Sequence, residues 1–153
     1  ISTTSNTSAL AKVLERDRRK NQMKIYANAY LKIKLLDGLN FKQTVGGDYR
    51  NTKNVNWTGT KASRNGIGDS ESSIGTANRF HIVSESTIDY NKTFGLHEVS
   101  AVAGYGYEKW NQDDEYIEST GFTNDYIRTF NILENLTDVN TFKSEWALIS
   151  YFL

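Results

Sequence analysis

The segment MKIYANAYLKIKLL, residues 23–36, decides the fold class of this chain. Every odd position up to residue 35 is apolar, and the even positions up to Lys34 are lysine, tyrosine or asparagine. Successive side chains of a β-strand point to opposite faces, so this period of two predicts a strand with one apolar and one polar face. An Asp-Gly pair at 37–38 precedes a second alternating run. Together they predict a long β-hairpin.

The composition narrows the classes of function. The chain has 18 Lys and Arg against 18 Asp and Glu, so it has no basic field to attract nucleic acid, and we expect no nucleic-acid partner. It has no cysteine, which excludes disulfides, thiolate nucleophiles and cysteine-bound metals within these residues. It also has no proline, as suits strands whose backbone N–H groups are paired. No run of about 18 apolar residues predicts a spanning helix, but barrel strands hide their apolar half in alternation.

The same alternation recurs along the chain and predicts five long strands. They cover residues 23–36, 39–57, 78–93, 96–113 and 141–153. Two segments rich in polar and small residues, 58–77 and 114–140, are predicted to be long loops. Residues 9–19 are predicted to form a short helix capped by Thr7 or Ser8. The tight turns therefore alternate with the long loops along a meander.

The register of each hairpin follows from matching the apolar faces. Both strands of the first hairpin carry their apolar residues at odd positions, which requires a loop with an odd number of residues. A loop of three residues, 37–39, would put Leu31 opposite Val45, with a type I turn and a left-handed glycine. The second hairpin changes from even to odd positions, so its turn needs two or four residues, and Tyr90 is predicted to face Val99.

Short turns at one end of the strands and long loops at the other are typical of outer-membrane barrels. Strands of this length also exceed the roughly 9 to 11 residues that cross a bilayer. The apolar face is therefore predicted to contact lipid and the polar face to line a lumen. The predicted lipid-facing residues are Ile25, Ala27, Ala29, Leu31, Ile33, Leu35, Phe41, Val45, Val99, Ala101 and Ala103. The predicted lumen-facing residues are Lys24, Tyr26, Asn28, Tyr30, Lys32, Lys34, Asp48, Arg50, Glu85 and Asp89.

Four segments carry a family resemblance. NAYLKIKLLDGLNFKQTVGGDYRN, IDYNKTFGLHEVSAVAGYGYEKW, GFTNDYIRTFN and SEWALISYF follow one another between residues 23 and 152. In order and spacing the chain resembles the barrel domain of SusC-type TonB-dependent transporters of the Bacteroidota. The resemblance implies an all-β fold, an antiparallel up-and-down meander of about five long strands within a transmembrane β-barrel of about 22 strands.

The resemblance also implies a location and partners. It implies an outer-membrane nutrient importer that takes up oligosaccharides or peptides together with a SusD-type surface lipoprotein. TonB would act through an N-terminal plug region, which we do not expect within this chain. Five strands are too few to close such a barrel, so we expect the chain to be an internal piece whose other partners are the remainder of the barrel, outer-membrane lipid and lipopolysaccharide.

Few residues offer chemistry. The two histidines, His81 and His97, have no nucleophile or metal-binding pattern around them in the sequence, so we expect no enzyme, no cofactor and no metal site. Residues 111–115, NQDDE, offer oxygen ligands for calcium, but they lack the spacing of an EF-hand and better fit a solvated loop tip.

Aromatic and cationic residues near the predicted external ends are the candidates for contact with other molecules. Trp57, Trp110 and Tyr107 are predicted to contact substrate or, as the alternative, to pack within a girdle or against loops. The cationic run at 16–20 is a candidate for contact with lipopolysaccharide phosphates. The competing interpretation of the whole chain is a soluble all-β carbohydrate-binding module, which would bury Leu31 and its neighbours under a second layer.

Overall fold

The computed structural model describes residues 9–62, 69–122 and 135–153. A short helix, α1 (Ala9–Leu14), precedes the first strand, and a 3₁₀ turn at Thr60–Ala62 follows the second. The strands are β1 (Arg16–Leu36), β2 (Leu39–Thr58), β3 (Glu71–Phe94), β4 (His97–Thr120) and β5 (Asn135–Phe152). They form one antiparallel sheet in the order β1-β2-β3-β4-β5. Among the described residues, no helix has the length and apolar character needed to cross a membrane.

The strands extend further than predicted at the ends away from the tight turns. β1 begins at Arg16, so the predicted helix ends at Leu14 instead of continuing to residue 19. β3 begins at Glu71, β4 runs to Thr120 and β5 begins at Asn135, all inside segments that were predicted to be loops. These extensions lack the apolar alternation that reveals a strand. Pairing with neighbouring strands forms them instead, as the hydrogen bond from Asn56 Nδ2 to Ser73 Oγ illustrates.

The first hairpin has the predicted glycine but a shifted register. Gly38 has a φ of 83°, the left-handed conformation that a type I turn with a glycine bulge needs. Asn28 lies against Gly46, whereas the predicted loop would have put Asn28 opposite Asp48. A hydrogen bond from Gln22 to Thr52 has the same offset. The faces still match, because a shift of two residues preserves the side to which each side chain points.

The second hairpin turns through two residues, Gly95 and Leu96, which is one of the two predicted lengths. Gly95 supplies the positive φ, 64°. With this turn Tyr90 lies level with Ala101, and both line one shallow cavity, so the predicted partner Val99 is two residues away. As predicted, the apolar face is formed by even positions of β3 and odd positions of β4.

Contacts between β2 and β3 fix which residues share a face. Asp48 contacts His81, and Asn40 donates a hydrogen bond to Asp89. Even positions of β2 therefore share a face with odd positions of β3, and even positions of β1 join them. All ten residues predicted to line a lumen consequently lie on one face of the sheet. The predicted lipid-facing residues of β1, β2 and β4 lie on the opposite face.

The described residues divide into two compact units. The first comprises those within Ile1–Met23, Asn51–Asn78 and Asp113–Phe142. It holds the buried side chains of Trp57, Ala62 and Phe122, with the Trp57 and Phe122 rings edge to face at 4.8 Å.

The second unit comprises Lys24–Arg50, Arg79–Gln112 and Lys143–Leu153. Its apolar side chains remain largely open: Leu31 is 57% exposed and Val45 is 42% exposed. Within the described ranges, no second layer packs on either residue.

Candidate functional site

The polar face of the second unit carries a charged cluster built on three strands. His81 on β3 bridges Asp48 on β2 and Glu108 on β4. Its Nδ1 lies 3.1 Å from Asp48 Oδ1, and its Nε2 lies 2.6 Å from Glu108 Oε1. Carboxylates only accept hydrogen bonds, so both contacts form together when the imidazole is protonated and donates from both nitrogens. In that protonation state the cluster is a charged link across three strands.

No local sequence motif reveals this cluster. Asp48 and Glu108 are 33 and 27 residues away from His81, so no local motif connects them. The register of two hairpins brings them together. The sequence offers one indication, the odd or even numbering of the residues. When the apolar faces of β2 and β3 are matched, Asp48 and His81 lie on the same face of the sheet.

The remaining predicted lumen residues are only partly paired with one another. Lys34 donates to Asp37 at the turn at 3.0 Å, and this hydrogen bond lowers the pKa of Asp37. Asp89 accepts a hydrogen bond from Asn40 at 2.7 Å. Asp48 and Asp89 lie on the same face as the β1 lysines, but in the described part of the chain these carboxylates bond to His81 and Asn40.

A polar pocket lies on the first unit. Its cavity has a volume of about 240 Å³ and lies between β1, β2, β3 and β4. The residues that line it are Arg18, Arg19, Lys20, Asn54, Asn56, Gly75 and Tyr116. The Tyr116 hydroxyl donates a hydrogen bond to Glu118. The pocket therefore combines cations, amides and an aromatic ring.

The predicted contact residues have different surroundings. Trp57 is only 3% exposed and packs on Phe122, which favours the packing alternative for this residue. Trp110 lies within β4 and stacks on Trp146 at 6.4 Å with an interplanar angle of 21°. Tyr107 is half-buried on β4. Trp110 and Tyr107 have numbers of opposite parity, so they point to opposite faces of the sheet.

The apolar face of the second unit carries a groove of about 390 Å³ over Gly47. The side chains around it include Ile25, Ala27, Val45 and Phe80. The same face also holds a polar cluster that the alternation did not predict. Gln43 Nε2 donates to Ser84 Oγ at 3.0 Å, and Ser86 donates to Gln43 Oε1. The polar side chains of this cluster bond to one another, because a polar group without a hydrogen-bond partner is costly in an apolar environment.

The predicted loop tip at 111–115 is part of β4, because β4 continues to Thr120. The alternating register holds these oxygen-bearing side chains on two faces, so they do not converge on one point. Across the described ranges, no group of three or more His, Asp or Glu side chains is arranged to hold a metal ion. His97 is exposed at the start of β4, next to the tight turn.

Comparisons with known proteins agree with this geometry. The chain is 33% identical over 153 residues to TonB-dependent receptor P39 of Formosa agariphila, an alignment that covers 97% of the chain. It is 27% identical over 128 residues to TonB-dependent receptor P3 of the same organism, covering 82% of the chain. The chain spans only 14% and 13% of the lengths of these two relatives. No family model matches the sequence.

Solved structures with the same fold come from a peptide importer. The RagAB peptide importer in its open-open state superposes with a TM-score of 0.80 at 18% identity, covering 90% of the chain and 16% of that protein's chain. Its closed-closed state gives a TM-score of 0.81 over the same shares. At this identity the likeness establishes the fold. In sequence and in fold, the chain is therefore similar to a segment of the outer-membrane β-barrel of TonB-dependent receptors.

Proposed function

We propose that the chain is part of the wall of a SusC-type importer that carries oligosaccharides or peptides across the outer membrane without chemical change. The observation that carries the proposal is the separation of the two faces of the sheet. One face bears exposed aliphatic residues such as Leu31 and Val45, and the other bears the His81 cluster and the β1 lysines. A barrel wall between lipid and an aqueous lumen needs this arrangement.

The proposal assigns one face of the sheet to lipid and the other to the lumen. The odd residues of β1 contact lipid, and the even residues line the lumen. Trp110 is the remaining candidate for contact with the transported solute, because the Trp57 ring is covered by Phe122. Tyr107 has an odd number like Val99 and Ala101, so its side chain lies on the face that contacts lipid in this proposal. The aromatic ring of Trp110 is half-buried, so part of its surface remains open to a sugar or peptide.

The proposed partners lie outside this chain. A SusD-type surface lipoprotein would capture the solute, and TonB would act through the plug region. Lipid and lipopolysaccharide would surround the apolar face. The likeness of the fold to that of the RagAB peptide importer favours an imported solute of this kind.

Uptake by cells tests the proposal. The gene for the full-length receptor is deleted in its host, and uptake of a panel of labelled oligosaccharides and oligopeptides is measured beside single sugars and amino acids. We expect loss of uptake for at least one oligomer, unchanged uptake of the monomers, and rescue by the intact gene. Rescue must fail in cells without TonB. Unchanged uptake of every oligomer would contradict an import function.

The alternative, a soluble carbohydrate-binding module, requires a second layer over the apolar face. Leu31 is 57% exposed and Val45 is 42% exposed in the described part of the chain, which favours the barrel. Fractionation separates the two possibilities. The full-length protein should pellet with outer membranes and stay there in high salt, whereas a soluble module would be released.

A further inference from the structure

We propose that the pocket lined by Arg18, Arg19, Lys20, Asn54, Asn56, Gly75 and Tyr116 binds a carboxylate group of the imported solute. This inference rests on the proposed import function and names the chemical class of the solute. We call this site the β1 pocket. It lies entirely within the first unit and has a volume of about 240 Å³, enough for one sugar or amino-acid residue.

Its cations are the first observation. Arg18 and Lys20 project from β1 at alternate positions and are both exposed. Among the residues that the structure describes, neither has an ion pair or a side-chain hydrogen bond. Arg19 between them does have one, because its Nη2 lies 2.6 Å from Asp17 Oδ2. Two neighbouring cations without a counter-charge repel each other, and a carboxylate placed between them would remove that repulsion.

The opposite side of the pocket is built for a neutral, hydroxyl- or amide-rich body. Asn56 donates from Nδ2 to Ser73 Oγ at 3.1 Å, which orients its amide next to Asn54. Tyr116 is held by its hydrogen bond to Glu118. A Cβ at Gly75 would lie 3.6 Å from Tyr116 Cδ2, so the glycine leaves the ring open to a ligand.

The charge distribution also orients the ligand. The cations stand on the β1 side, and the carboxylate of Glu118 lies beyond Tyr116. An acidic group would therefore point toward β1, and hydroxyl or N–H donors would point toward Glu118. Arg18 and Lys20 have the even numbers of the predicted lumen-facing residues of β1. This parity favours a solute in the lumen over lipopolysaccharide phosphates, which the cationic run was also predicted to contact.

Binding to the purified full-length receptor in detergent tests the inference. Isothermal titration calorimetry compares trigalacturonate with galactotriose, and tri-aspartate with trialanine. These two pairs distinguish a sugar carboxylate from a peptide carboxylate. The pocket variant is Arg18→Gln with Lys20→Gln. The control is Lys53→Gln with Lys143→Gln, which removes the same charge from two exposed positions outside the pocket.

We expect one acidic probe to bind at least about tenfold more tightly than its neutral counterpart. The pocket variant should lose that preference, and the control should keep it within about twofold. Arg18→Lys with Lys20→Arg retains both charges and should retain most of the affinity. Gly75→Val fills the pocket without changing its charge and should weaken binding. This variant still tests the pocket if the charge variant does not fold.

Equal binding of acidic and neutral probes, or equal affinity of the pocket variant and the control, would overturn the inference. The inference would also be overturned if neither acidic probe bound. These outcomes differ from a failure of the import function, because calorimetry measures the pocket and cellular uptake measures transport. Normal uptake of an oligomer by the pocket variant would reject the pocket and leave the importer intact.

Discussion

Arg50 and Arg79 lie directly opposite each other on β2 and β3, and the Nε atom of each is buried without a hydrogen-bond partner in the described part of the chain. The flanking contacts, Asp48 with His81 and Asn51 with Asn78, fix this pairing. Like charges directly opposite each other destabilise a sheet, and a buried donor without an acceptor adds to the cost.

Replacing one of these two arginines should therefore be tolerated. We expect Arg79→Gln to change the free energy of unfolding by less than about 0.5 kcal/mol or to raise it by up to about 1 kcal/mol. Arg79→Glu should raise it further by forming an ion pair with Arg50. Urea unfolding of the full-length barrel in lipid vesicles provides the measurement. A loss above about 1 kcal/mol for Arg79→Gln would mean that the arginine has a partner in another part of the barrel.

The bridge at His81 should make a measurable contribution to stability. In His81→Ala the carboxylates of Asp48 and Glu108 lose their shared donor and face each other across β3. We expect a cost of about 1 to 2 kcal/mol, less than for a fully buried pair because all three side chains are partly exposed. Asp48→Asn and Glu108→Gln added to His81→Ala should recover part of the loss. His97→Ala, at an exposed position, is the control, and equal costs for both histidines would contradict the bridge.

Two adjacent glycines on β2 should respond differently to the same substitution. A Cβ at Gly47 would lie 2.6 Å from the backbone oxygen of His81, so Gly47→Ala should push β2 and β3 apart and cost about 1 to 3 kcal/mol. At Gly46 the nearest atom is Asn28 Cβ at 3.5 Å, an ordinary contact, so Gly46→Ala should cost little. Unfolding of the two variants under identical conditions compares them. A larger effect at Gly46 would show that the register is wrong.

Neighbouring residues of β1 test the assignment of faces. Leu31→Arg, if the residue lies near the bilayer midplane, should cost about 2 to 4 kcal/mol of barrel stability. Lys32→Arg retains a charge on the predicted lumen side and should cost almost nothing. The same unfolding assay measures both variants. Equal costs would reject the assignment of the odd residues to lipid.

Trp57 should behave as a packing residue. Its ring is 3% exposed and contacts Phe122 edge to face, so Trp57→Ala should cost about 3 to 5 kcal/mol of the stability of the first unit. Trp110→Ala should cost less, because that ring is only half-buried, and should weaken solute binding instead. Limited proteolysis of intact cells would report opening around Trp57. Protection equal to that of the unmodified protein would contradict the packing role.

The sequence alone determined the strands that alternate, the matching of their faces and the positions of the two tight turns. A period of two carries this information directly, since each residue of Met23 to Leu35 reports its own face. It also determined the left-handed glycine of the first turn, Gly38, because few other residues adopt a positive φ without strain. The barrel class followed from these local features.

Only the tertiary structure decided the exact register, the extensions of β1, β3, β4 and β5, and the residues that meet across strands. Polar extensions such as 71–77 have no alternation to reveal them, and the shift of two residues in the first hairpin leaves every face unchanged, so the sequence pattern cannot detect it. His81 meets Asp48 and Glu108 because of the registers between β2 and β3 and between β3 and β4. Arg18 and Tyr116 line one pocket because the register between β1 and β2 also contributes to their alignment. Which residues pair across strands depends on where each turn closes, because a change of one residue in the length of a turn changes the register of the whole hairpin.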